Sequence, residues 1–179
     1  VLTTPMFTFT VNSTGDQDDS YGGDNICDTT GSPGPPPVPY SGLCTLRAAI
    51  NQAQSSAGAD TIVFSLPAGS TITPGSTYAF PGVDGPATSI LGTVDATGPL
   101  VELNLSNVRP PYLEVYGPNN VIRGLAINRA QENGIQIDTY GANTGNNFIE
   151  GNRLGTDRTG TLNRGNGWHG IVTEVPNNT

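Results

Sequence analysis

Two stretches decide the reading of this chain: Asn119-Asn120-Val121-Ile122-Arg123-Gly124-Leu125-Ala126-Ile127 and Asn146-Asn147-Phe148-Ile149-Glu150-Gly151-Asn152-Arg153-Leu154, which align at an offset of 27 residues. Between and after them lie Asn133-Gly134-Ile135-Gln136-Ile137-Asp138 and His169-Gly170-Ile171-Val172-Thr173-Glu174, so short β segments alternate with Asn/Gly turns. Each segment is too short to bury a face alone, and no helical periodicity fills the gaps to make βαβ crossovers. Successive coils of a parallel solenoid answer both points. Earlier coils are traced at Thr88 to Val94, Leu100 to Leu103 and Tyr112 to Val115. If Ile122 and Ile149 point inward, Arg123 and Glu150 face outward on neighbouring segments as an opposite-charge pair. Gly124 and Gly151 fall at corners, and the paired asparagines fall at turns where amides can hydrogen-bond from one repeat to the next.

Working outward, Met6 to Val11 reads MFTFTV, with Phe7, Phe9 and Val11 on one side and Thr8 and Thr10 on the other, the alternation of a half-buried strand. Asn12 to Leu43 is rich in Gly, Pro and polar residues and reads as a long loop. From Cys44 to Ala53 the residues Leu46, Ala49, Ile50 and Ala53 recur at helical spacing, which predicts a short helix with Gly58 as its stop. Thr61 to Phe64 predicts a strand, and Leu66 to Pro86 a loop with short β pieces. The expected organisation is an N-terminal strand (1–12), a loop with a capping helix (13–60) and the repeats (61–179).

Composition narrows the classes further. The chain has 179 residues with 24 Gly and 15 Pro, a turn-rich composition that favours β architecture over a helical bundle. All seven basic residues are Arg, and 15 acids leave a net charge of −8. Such a surface lacks the basic clustering that nucleic acid needs and repels acidic polysaccharide. No run of apolar residues reaches membrane-spanning length. Cys27 and Cys44, the only two cysteines, close the Pro-rich loop if they form a disulfide, which implies an oxidising compartment. A chain that begins at Val1 reads as the processed form of a secreted protein.

The combination VNSTGDQDDSYGGDNICD, CTLRAAINQAQSSAGADTIVF, NNVIRGLAINRAQENGIQID and NNFIEGNRLGTDRTGT resembles secreted bacterial and archaeal proteins with a CSLREA-type N-terminal segment. The resemblance implies an all-β fold, a right-handed parallel β-helix of pectate-lyase-like shape, here with three to four coils, an N-terminal strand, a disulfide-closed loop and a short capping helix. It also implies a location outside the cell, among surface and adhesin-like proteins, and supplies no catalytic residue. Trp168-His169-Gly170 departs from the plainer Gly/Asp turns of such repeats.

Chemistry is faint. Asp138, Glu150, Asp157 and Glu174 are scattered singly, so no carboxylate pair for glycoside cleavage is legible and the catalytic set is empty. Trp168 and His169 are the carbohydrate-contact candidates, and covering a turn or meeting another subunit is the competing reading. Asp16, Asp18, Asp19, Asp24 and Asp28 are candidate Ca²⁺ ligands, although an EF-hand is excluded because its twelfth position is Cys27; a solvated acidic loop is the simpler reading, and no cofactor is required. Asn12-Ser13-Thr14 and Asn104-Leu105-Ser106 match the N-glycosylation pattern.

The sequence-level expectation of function is an extracellular, non-catalytic structural or adhesive protein that assembles end to end into a homopolymer. Its distal edge, with Ile171, Val172 and Val175, would accept Met6, Phe7, Phe9 and Val11 as a donated strand. The alternatives are a polysaccharide-active enzyme or carbohydrate-binding module, with a cell-surface glycan as partner, and a fragment of a larger surface adhesin.

Overall fold

The computed structural model describes residues 6–31, 39–75, 79–85, 87–139 and 145–179. Strand β1 (Thr8–Val11) precedes helix α1 (Leu46–Ser55), followed by β2 (Thr61–Phe64), β3 (Ser70–Ile72) and β4 (Ser89–Leu91). Then come β5 (Val94–Asp95), β6 (Gly98–Pro99), β7 (Val101–Asn104), β8 (Leu113–Val115), β9 (Val121–Arg123) and β10 (Leu125–Asn128). The last four are β11 (Ile135–Ile137), β12 (Phe148–Glu150), β13 (Arg153–Leu154) and β14 (Ile171–Thr173).

Three of the sheets are parallel throughout, in the orders β1-β2-β4-β9-β12, β13-β10-β7-β3 and β14-β11-β8, and β5 with β6 forms a small antiparallel pair. Register explains why these strands find one another. In the five-stranded sheet Phe9, Ile62, Ile90, Ile122 and Ile149 stand in one file. The four-stranded sheet contributes Ile72, Leu103, Ile127 and Leu154, and the three-stranded sheet Leu113, Ile135 and Ile171. The upper members of all three files are fully buried in one shared core, and each such aliphatic side chain stabilises by about 1.5–3 kcal/mol. A one-residue slip would turn a whole file to solvent, so register is strongly specified.

Helix α1 forms where the spacing predicts it. The Thr45 side chain caps its start by accepting from the Ala48 N–H at 3.0 Å, and Leu46, Ala49, Ile50 and Ala53 face the core. Its other side is covered by the loop that runs from Asp16 to Ile26, ahead of the Cys27–Cys44 disulfide. Arg47, with 2% of its side chain exposed, reaches into that loop and pairs with Asp16 at 2.9 Å. Gln52 Nε2 donates to Asp19, Asp24 and the Tyr21 and Ile26 carbonyls.

These elements correct the expected fold class. In place of an all-β right-handed β-helix of three to four coils, the parallel strands lie in several separate sheets together with one buried helix, an α/β-like arrangement. β1 pairs with β2 and places Phe9 and Val11 in the core of its own chain.

Candidate functional site

The outer face of β8-β11-β14 gathers what the sequence scatters. Glu114 projects from β8 level with Gln136 on β11, which is level with Val172 on β14. Tyr112 and Tyr116 flank β8. Asp138 follows β11, with its N–H donating to the Val115 carbonyl at 3.0 Å, and Glu174 follows β14, donating to the Ile137 carbonyl at 3.0 Å. Asp138 therefore stands one diagonal step from Glu114, about 7–8 Å between Cα atoms. Above them, Val83 bridges to Val115, and Gly82 leaves room for the Tyr116 ring: a Cβ there would sit 3.2 Å from the ring.

The polar groups form two hydrogen-bonded sets. The Tyr116 hydroxyl donates to Glu114 Oε1. Asn133 Nδ2 donates to Gln136 Oε1 at 2.9 Å, and Gln136 Nε2 donates to Asp138 Oδ2 at 3.3 Å. Asn133 Oδ1 is buried and has no hydrogen-bond partner among the described residues. Burial pushes the Glu114 carboxyl above its ordinary range despite the Tyr116 hydrogen bond, and the negative charges of Asp138 and Asp84 push it further. Burial, followed by the charges of Glu114, Glu132, Asp138 and Glu174, raises the Tyr112 hydroxyl, so it stays neutral at physiological pH.

The sequence candidates are distributed around this face and away from it. Trp168 is 66% exposed and donates its backbone N–H to the Glu132 carbonyl, flanking the face, while the neighbouring His169 accepts through its backbone carbonyl from the Gly134 N–H. The aspartates of the disulfide loop take protein partners. Asp16 and Asp18 pair with Arg47, and Asp19 accepts from the Tyr21 and Asp28 N–H groups. Asp24 accepts from the Ile26 N–H, and Asp28 from the Thr30, Ser41 and Gly42 N–H groups. Among the described residues, no group of three acidic, His or Cys side chains is placed to hold a metal ion. Of the self-assembly set, Met6 is exposed and Phe7 half-buried; Ile171 is exposed, Val172 half-buried and Val175 buried.

A second recess, an open cleft of about 310 Å³, is lined by Gly92, Val94, Arg123, Gly124, Glu150 and Gly151. Arg123 and Glu150 face each other there at 3.6 Å, as the repeat predicts, and both are more than half exposed. The cleft offers this solvated pair and no aromatic wall.

Sequence reasoning missed Glu114, because Gln136 and Asp138 come from a strand more than twenty residues away and meet it only through register. The Tyr112-Leu113-Glu114-Val115-Tyr116 alternation was the available signal, since it places two aromatics and an acid on one side of a strand. Compared with known proteins, the chain matches no family model, no curated protein and no solved structure.

Proposed function

We propose that this protein is an extracellular, non-catalytic adhesive module that binds a neutral saccharide on the outer face of β8, β11 and β14. The carrying observation is the juxtaposition of Tyr112 and Tyr116 with Glu114, Gln136 and Asp138 on and beside a parallel sheet. Tyrosine rings offer an apolar surface to the C–H face of a pyranose, and amide and carboxylate groups match its hydroxyls. The cluster of acids repels uronates and sulfated glycans, which leaves neutral sugars as the matching class. The Cys27–Cys44 disulfide is compatible with an extracellular location, and among the described residues no helix is long and apolar enough to cross a membrane.

Calorimetric titration with neutral and uronic-acid oligosaccharides tests this reading. Binding of the neutral series alone, lost in Tyr112→Ala and Gln136→Ala, is expected. Absence of neutral-glycan binding, or binding indifferent to both substitutions, overturns it. The raised Glu114 carboxyl favours a second reading, glycoside hydrolysis with Glu114 as the proton donor and Asp138 as the base. Release of reducing ends that is abolished by Glu114→Gln would select it over adhesion.

A further inference from the structure

Two side-chain amides beside the start of β11 are each left with one group unsatisfied. Asn133 is 3% exposed, and its Oδ1 is a buried acceptor without a hydrogen-bond partner among the described residues. Asn166 Nδ2 is a buried donor without one. Among the described residues these are the only two buried side-chain polar atoms left so, and they are complementary, one an acceptor and the other a donor. Burying such a group without a partner costs free energy, so the two together point to a bound molecule that satisfies both.

Neither amide can be turned round to remove the problem. A carboxylate accepts only, so Gln136 aims Nε2 at Asp138 Oδ2, at 3.3 Å, and Oε1 at Asn133. Asn133 gives Nδ2 to that oxygen at 2.9 Å, and Oδ1 is what remains. Asn166 Oδ1 accepts the Ala130 N–H at 3.0 Å, and Nδ2 is what remains. Reversing Asn133 would set oxygen against oxygen, and reversing Asn166 would set one N–H against another.

Both amides lie against Gly134. Asn133 precedes it in the chain, and a Cβ on Gly134 would sit 2.6 Å from Asn166 Nδ2 and 2.6 Å from the Gly170 carbonyl oxygen. That oxygen accepts from the Ile135 N–H at 3.0 Å and has a second lone pair. The Gly134 N–H donates to the His169 carbonyl at 2.9 Å, so it does not serve Asn133 Oδ1.

We infer that one internal water molecule is bound beside Gly134, accepting from Asn166 Nδ2 and donating to Asn133 Oδ1 and the Gly170 carbonyl. One donor and two acceptors are the complement of a water's lone pair and two hydrogens, and three partners are the usual number for a buried water. An ammonium ion has no lone pair for the Asn166 amide, and an anion has no hydrogen for Asn133 Oδ1, so the set selects water over either. The water joins the β11 strand to the 166–170 segment that leads into β14. It also completes a row in which every group donates to the next, from Asn166 through the water, Asn133 and Gln136 to Asp138, and such rows strengthen their members.

A high-resolution crystal structure of the chain, paired with water–amide NOE and ROE spectra in solution, tests the inference. A single water oxygen within hydrogen-bond distance of Asn133 Oδ1, Asn166 Nδ2 and the Gly170 carbonyl is expected. In solution the Gly134 amide and the Asn166 side-chain amide should show water cross-peaks whose NOE and ROE have opposite signs, the signature of a water that tumbles with the protein. Asn133→Leu is close to Asn in shape and removes one acceptor, so both the density and these cross-peaks should be lost. A direct bond between Asn133 and Asn166, a direct bond from Asn166 Nδ2 to the Gly170 carbonyl, or a dry gap in wild type overturns the inference, and wild type alone decides these even if the variant fails to fold. A water that stays in place in a folded Asn133→Leu overturns it as well, because Asn133 would not be holding it.

Discussion

The backbone N–H of Asn120 donates to the side-chain Oδ1 of Asn147 across 2.8 Å. The same bond recurs on either side: the Thr88 N–H donates to Asn120 Oδ1 at 2.7 Å, and the Asn147 N–H to Asn178 Oδ1 at 2.9 Å. Each asparagine therefore satisfies a backbone donor in the preceding repeat. Asn120 and Asn147 are fully buried, so these donors have no water to fall back on. Asn147→Ala orphans the Asn120 N–H and is expected to cost about 1–3 kcal/mol in urea denaturation. Asn178→Ala, at a half-buried position, should cost less. Hydrogen exchange at the Asn120 amide separates this from a general loss of packing, since that amide should lose more protection than Ile122 does.

Much of this ladder was legible in sequence, and its gaps have physical causes. The 27-residue repeat exposed Asn119-Asn120 and Asn146-Asn147 because type, spacing and flanking apolar residues all agreed. The third pair, Asn177-Asn178, went unread because its spacing stretches to 31 residues. The first member passed unseen because it is Ala87-Thr88. Yet Ala87, Asn119, Asn146 and Asn177 share one left-handed backbone conformation, with φ of 59°, 60°, 60° and 62°. Asparagine signals that conformation; alanine adopts it only when the surroundings impose it. The alternation of β1 was equally visible, but alternation marks a strand without saying which chain it pairs with. The outer face of β8, β11 and β14 was least legible, since Glu114, Gln136 and Asp138 meet only through register.

The glycines at the corners separate crowding from backbone conformation. Gly124 has φ +71° and its added Cβ would sit 2.4 Å from the Gly92 carbonyl oxygen, a backbone atom that cannot swing aside. Gly151 has φ +61° and open space around it. Gly151→Ala should therefore cost about 1–2 kcal/mol, the conformational penalty alone. Gly124→Ala should exceed it clearly, because β4 and β9 must also move apart. Equal midpoints in parallel thermal melts would show that the close approach of Gly92 and Gly124 carries no weight.

Arg47 ties the helix to the loop above it. Its guanidinium donates to both Asp16 carboxylate oxygens, through Nε and Nη2 at 2.9 Å each, reaches the Ala79 carbonyl, and lies 5.3 Å over the Phe80 ring. Arg47→Met leaves the Asp16 carboxylate in a half-buried site without its cation and is expected to destabilise by about 3–5 kcal/mol. Arg47→Lys should recover only part of this, because an ammonium cannot reproduce the planar fork or the stacking. Chemical denaturation of the two variants checks the order.

Acid sensitivity should concentrate in the disulfide loop. Burial alone would raise the Asp28 carboxyl, but hydrogen bonds from Thr30, Ser41 and Gly42 outweigh it and hold the group below its ordinary value of 3.8. A carboxyl depressed in the folded state stabilises above its unfolded value, and that contribution fades as pH falls through the folded one. Asp28→Asn should thus be less stable than wild type at neutral pH, and the gap should narrow as pH drops below about 4. A gap constant across that range would assign the effect to shape and not to ionisation.

Glu114 carries the opposite sign. Its carboxyl is raised above the ordinary 4.5, chiefly by burial, so the folded protein holds this proton more tightly than the unfolded chain does. Between those two values the native state binds more protons, and stability falls as pH rises through that window. Glu114→Gln removes the ionising group while keeping an acceptor for the Tyr116 hydroxyl, so it should be more stable than wild type at neutral pH and no more stable below about 4.5. On the proposed reading the same substitution should weaken saccharide binding, because a carboxylate offers two acceptor oxygens where the amide offers one and carries a donor in place of the other. Paired melts and titrations across pH check both halves. A variant that is stabilised and binds unchanged would show that the burial of Glu114 serves packing against Tyr116 and that the ligand contacts lie with Gln136 and Tyr112.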